Sequence, residues 1–109
     1  MKIPEHVRIG GVEYEVIDNV AGLNDGQSVL AGEINYNDSV IRLNEVVAGH
    51  QMKCITLWHE ILNGIRNHAG IEIEDEEKVV ELFAKGIYQV LQDNGARMFD
   101  LKEAAQDGK

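Results

Sequence analysis

His59 and Glu60 stand side by side in a stretch of helical spacing, and Asn63 follows His59 by four places. In the pattern H-E-x-x-H, two histidines one helical turn apart hold a zinc ion, and the glutamate acts as general base on the water beside it. Here the second histidine position is an asparagine. A catalytic zinc site takes three protein ligands and leaves one position open. The asparagine therefore removes an imidazole and offers an amide oxygen, a neutral, hard donor better suited to calcium or magnesium. Wound at 100° per residue, His59 and Asn63 lie about 40° apart and Glu60 about 60° further round, at the rim of the apolar face.

No other histidine fills the gap. His50 and His68 each lie nine residues from His59, which is half a turn round the helix and roughly 13 Å along it. His6 belongs to another element. A third ligand is available further on, because Glu77 flanks the apolar stripe of the next helix and Glu81 follows one turn later. Two helices packed antiparallel through the short connection 70–74 would bring one or the other to His59. The plainer reading of both glutamates is a solvated helix start, where carboxylates suit the positive end of the dipole.

The elements that position these residues follow from periodicity. Residues 7–16 alternate polar and apolar on both sides of Gly10-Gly11, which predicts a hairpin. Residues 23–28 are turn chemistry throughout, and a second hairpin is predicted over 29–36 and 39–43, with its turn at Asn37-Asp38. Near Asn44 the period changes from two to 3.6. One helix is predicted over 47–69, with Cys54, Ile55, Trp58, Ile61, Leu62, Ile65 and Ala69 on its apolar face and Gly70 at its end. A second is predicted over 74–94, with the stripe Val80, Phe83, Ala84, Ile87 and Leu91 and a stop at Asn94-Gly95. The tail 96–109 is expected to fray. This order gives an α+β fold: a small antiparallel sheet of three or four strands, then two packed helices.

Composition narrows the function classes. At 109 residues the chain is one domain spanning 1–109, too short for two cores. Its 44% hydrophobic and 27% charged residues match a globular protein, and no apolar run approaches the roughly 20 residues of a membrane span. A formal charge of −9 with scattered basic residues repels phosphate backbones, so no nucleic-acid partner is expected. Mimicry of nucleic acid rests on charge alone. The single Cys54 and the absence of an apolar leader point to the cytoplasm.

The stretches "CITLWHEILNGIRNHAGIEI" and "EEKVVELFAKGIYQVLQDN", with the hairpin from Gly32 to Asn44, resemble a family of small phage- and mobile-element-encoded zinc-metallopeptidase-like proteins of the gluzincin type. The resemblance runs from Ile3 to Asp93 and implies a minimal zincin-like fold in the cytoplasm of a bacterial host. It implies His59 as a zinc ligand, Glu60 as general base, and Glu77 (with Glu81 the alternative) as a further ligand. The second histidine ligand falls at Asn63, so zinc affinity is expected to drop by orders of magnitude and hydrolysis with it. The alternative is a non-catalytic interaction protein on the same scaffold. In both cases the partner is an unidentified peptide or protein. Trp58 and Cys54 read first as core, with no histidine expected beside Cys54, and Tyr88 is expected half-buried on the side of Glu77 and Glu81.

Overall fold

Gly10 and Gly11 take φ values of +56° and +83°, a conformation that a residue without Cβ adopts freely. The chain reverses there, and β1 (His6–Ile9) pairs antiparallel with β2 (Val12–Val20), Ile9 opposite Val12. This computed structural model describes residues 1–70, 72 and 74–98. The ring of His68 lies over the hairpin turn, so a Cβ at Gly10 would come within 2.3 Å of His68 Cγ. Gly10→Ala is therefore expected to cost about 1–2 kcal/mol from the left-handed backbone alone, and more from displacing His68. Urea unfolding checks this; an unchanged midpoint would contradict it.

The sheet has four strands in the order β1-β2-β4-β3. The second hairpin joins β3 (Gly32–Asn35) to β4 (Val40–Asn44). β3 starts later than the alternation predicts, because Val29 and Leu30 still belong to the preceding loop, where Val29 bridges Asn24 and the Leu30 N–H donates to Leu23 O. The expectation of a purely antiparallel sheet needs correction. β2 and β4 run parallel, with Val16 beside Ile41, because the connection over 21–31 stays at one end of the sheet, skips the place of β4 and delivers β3 to the edge, from which β4 returns between them. β2 and β4 are the two inner strands, and Ile41, Leu43 and Asn44 on β4 are almost completely buried.

Two helices complete the α+β fold, α1 (His50–Ala69) and α2 (Glu76–Met98). α1 starts three residues later than predicted, after Gly49 at φ +80°. It ends as predicted, with Gly70 left-handed and its N–H on the carbonyls of Arg66 and Asn67. α1 is the middle layer and buries two stripes. Leu57 and Ile61 join Ile9, Tyr14, Val16, Ile41 and Leu43 against the sheet, while Cys54 and Ile55 meet Ala84 and Tyr88 on α2. Gly64 lets the sheet come close, since a Cβ there would lie 2.9 Å from Ile9 Cδ1.

Three positions of the expected apolar faces turn outward: Ile65 is 48% exposed, Phe83 61% exposed, and Ala69 at the end of α1 is exposed too. α2 buries a narrow apolar stripe, Val80, Ala84 and Tyr88 at intervals of four, and Phe83 falls outside it. Tyr88 is accordingly a buried core residue. α2 also runs through Asn94-Gly95 to Met98, because Ala96, Arg97 and Met98 are good helix formers and a single glycine costs only about 1 kcal/mol. The part of the tail beyond Met98 lies outside the described residues. Among those described, no helix is long and apolar enough to cross a membrane.

Candidate metal centre

His59, Glu60, Asn63, Glu77 and Glu81 all line one cleft of about 470 Å³. Three elements build it. α1 supplies the floor with His59, Glu60 and Asn63, the start of α2 supplies Glu77 and Glu81, and the segment Val29 to Gly32 forms the facing wall. The sequence spacing explains the first two. Residues four apart on a helix share a face, so Glu77 and Glu81 reach the cleft together, as His59 and Asn63 do.

The imidazole of His59 is held between the two glutamates. Glu81 Oε2 lies 2.9 Å from Nδ1 and Glu77 Oε2 lies 3.4 Å from Nε2. The first distance is that of a charge-assisted hydrogen bond. The contact with Glu81 orients the ring, so that Nε2 faces the cleft on the side of Glu77. The second distance is long for such a bond. Two donors each about 2.0–2.1 Å from a tetrahedral ion stand roughly 3.3 Å apart, close to the 3.4 Å between Nε2 and Glu77 Oε2. Glu77 reaches in from the rim, 79% exposed, whereas the His59 side chain is 14% exposed.

Glu60 is buried, at 6% exposure. Burial pushes its carboxyl above the ordinary range, opposed by His59 and by the amide of Asn63. The Asn63 Nδ2 donates to Glu60 Oε1 at 3.4 Å. That leaves Asn63 Oδ1 shut off from solvent with no hydrogen-bond partner, a costly condition for an amide oxygen. A hydroxyl bond from Tyr36 to the Asn63 backbone carbonyl, 3.2 Å, ties the β3–β4 turn to this point of α1.

The folded chain holds the Glu60 proton more tightly than the unfolded chain does. The group's contribution to stability is therefore full below its ordinary pKa of 4.5 and is lost as pH rises through the raised value. Glu60→Gln removes the ionisation, so it is expected to flatten the fall of stability above about pH 4.5 and to exceed the parent chain in stability at pH 8. Urea midpoints at the two pH values test this, and a variant less stable at pH 8 would contradict it.

Gly32 belongs to the site although its sequence spacing gives no hint of it. A Cβ there would lie 2.8 Å from Thr56 Cγ2 and 3.2 Å from Glu60 Oε2, so the missing side chain lets β3 close over the buried carboxylate. Asn44 supports the same wall. Its Nδ2 donates to Leu30 O at 2.7 Å and Leu23 O at 3.2 Å, and its Oδ1 accepts from Val46 N–H at 3.1 Å.

The remaining histidines lie elsewhere. His50, set aside for its distance from His59, stands 3.5 Å from Cys54 Sγ, so the expectation that no histidine neighbours Cys54 is overturned. The two are an i, i+4 pair, and both also face the Met1 carbonyl. Cys54 is fully buried, which pushes its thiol up and leaves it unreactive. Among the described residues, no group of three or more histidine, cysteine, aspartate or glutamate side chains is arranged to hold a metal ion. No protein family, curated protein or solved structure matches the chain.

Proposed function

We propose that this chain is a zinc-metallopeptidase-like protein of a phage or mobile element, acting in the cytoplasm of a bacterial host, whose metal centre and hydrolase activity are impaired by Asn63. The observation that carries the reading is the clamped imidazole, with Glu81 on Nδ1 and Glu77 3.4 Å from Nε2, in a cleft that Asn63 also lines. A divalent cation would be held by His59 Nε2 and Glu77, and position 63, where the resemblance implies a second imidazole, leaves it one ligand short. When bound, such a cation supplies Lewis-acid activation.

The chain's own groups account for the rest of the chemistry. Glu60, buried and raised above the ordinary carboxyl range, is tuned to take a proton and return it within the cleft. Glu81 fixes the ring that faces it. An extended peptide is the substrate class that the wall accommodates. The bond from Asn44 N–H to Ala31 O makes Ala31, Glu33 and Asn35 the residues bonded to β4. The backbone groups of Gly32 and Ile34 therefore point to the sheet's outer edge, where a peptide can add as a strand.

Zinc calorimetry on the parent chain and on Asn63→His tests the reading. Weak binding by the parent and binding tightened by at least about a hundredfold in the variant are expected, since a direct ligand outweighs the 10–100-fold worth of an outer-shell partner. Equal, negligible binding by both would mean that this is an ordinary core helix.

A further inference from the structure

Gly32 brings the edge of the sheet directly against Glu60. A Cβ on Gly32 would lie 3.2 Å from Glu60 Oε2, and Ile34, two places on, turns to the same side, its Cδ1 3.1 Å from where Gly64 would carry a Cβ. Residues i and i+2 of a strand share a face, and so do residues side by side on neighbouring strands. A peptide added to the outer edge of β3 therefore sends the side chain beside Gly32 toward α1, into the cleft next to Glu60. We infer that this peptide residue is a lysine or arginine, an inference that rests on the reading above of an extended peptide along β3.

Two observations ask for a basic group there. The first is a buried acceptor. Glu60 is 6% exposed, and its Oε1 takes the Asn63 amide at 3.4 Å, while no hydrogen bond among the described residues reaches Oε2. A carboxylate oxygen buried without a donor is costly, and this one lies against the strand edge. The second is charge. Glu77 and Glu81 line the cleft with Glu60, and among the described lining residues only His59 is basic. Lys85 approaches Glu81 no closer than 3.9 Å and is not a lining residue. Glu33 does not add to the excess, because it alternates to the other side of β3 and pairs with Arg42 at 2.9 Å. The shape suits a long side chain as well. Val29, Met52 and Ile55 give the cleft apolar surface for a methylene stem whose charged head reaches the carboxylates.

The test uses the metal-free full chain, labelled with nitrogen-15, and a capped peptide of sequence Thr-Val-Thr-Lys-Thr-Val-Thr, which places a valine beside Ile34 when lysine stands beside Gly32. Two further peptides carry norleucine or glutamate at the centre. The lysine peptide is expected to shift the amide signals of Gly32 and Ile34 and to bind at least about fivefold more tightly than the norleucine peptide, with the glutamate peptide weakest. Glu77 has a side chain 79% exposed, so Glu77→Gln keeps the fold, which its own amide spectrum checks. In that variant the advantage of lysine over norleucine is expected to fall to about twofold or less. A lysine advantage that Glu77→Gln leaves intact puts the basic side chain outside the cleft and overturns the inference. If the lysine and norleucine peptides bind equally and both shift Gly32 and Ile34, the basic preference falls while the strand-edge reading stands. If no peptide shifts Gly32 or Ile34, both fall.

Discussion

Asn63→His is expected to raise the melting temperature by about 10–20 °C when zinc is present at a hundred times its dissociation constant. Binding only to the folded chain at that excess adds about 2.7 kcal/mol, and each kcal/mol shifts Tm by roughly 4–8 °C in a domain of this size. The substitution needs no backbone change, because residue 63 already lies within α1, four places from His59. The other parts are in place: Glu81 orients the ring and Glu77 stands 3.4 Å from Nε2. Without zinc the variant should melt close to the parent. A differential scan with and without zinc reads the effect, and an increase smaller than about 2 °C at saturating zinc would contradict it, given the expected 4–8 °C per kcal/mol.

Asn44→Leu should cost about 3–5 kcal/mol, a large part of the roughly 5–15 kcal/mol that stabilises a domain. Asn44 is 1% exposed and uses both amide hydrogens and its oxygen. A leucine leaves the carbonyl of Leu30 and the N–H of Val46 without partners, each worth about 1–3 kcal/mol when buried, and takes from Leu23 O one of its two donors, the Leu30 N–H remaining. The loss falls on the connection 21–31 and on the wall from Val29 to Gly32. Chemical unfolding measures the total, and hydrogen exchange locates it. Asn44→Asp separates hydrogen bonding from volume: a carboxylate faces two carbonyls and should be worse at pH 7 than at pH 4, where it regains a donor. Equal stability of Asn44→Leu and the parent would show that the wall does not depend on this side chain.

What the sequence made legible was local. The change of period near Asn44 separates sheet from helices, and Gly70 ends α1 because a left-handed residue is needed there. Helical spacing alone puts His59 with Asn63 and Glu77 with Glu81. What it concealed was tertiary. Alternation along β2 and β4 says which face is apolar and nothing of strand order, so the parallel pair was not foreseen. Phe83 and Tyr88 both fit an apolar stripe, and only the narrow contact of α2 decides that Tyr88 is buried and Phe83 exposed. Gly32 looks like any strand-end glycine until β3 meets Glu60. The i, i+4 rule that pairs His59 with Asn63 also pairs His50 with Cys54, so that contact is carried by spacing alone.

The central claim is that His59, Glu77 and position 63 surround one cation position. Anomalous diffraction at the zinc edge from crystals of zinc-loaded Asn63→His tests it most directly. The account predicts a single strong peak bonded to His59 Nε2, to Glu77 and to the introduced imidazole, with Glu81 still on Nδ1 of His59. A peak beside His50 and Cys54, or no peak in the cleft between α1 and α2, would contradict it.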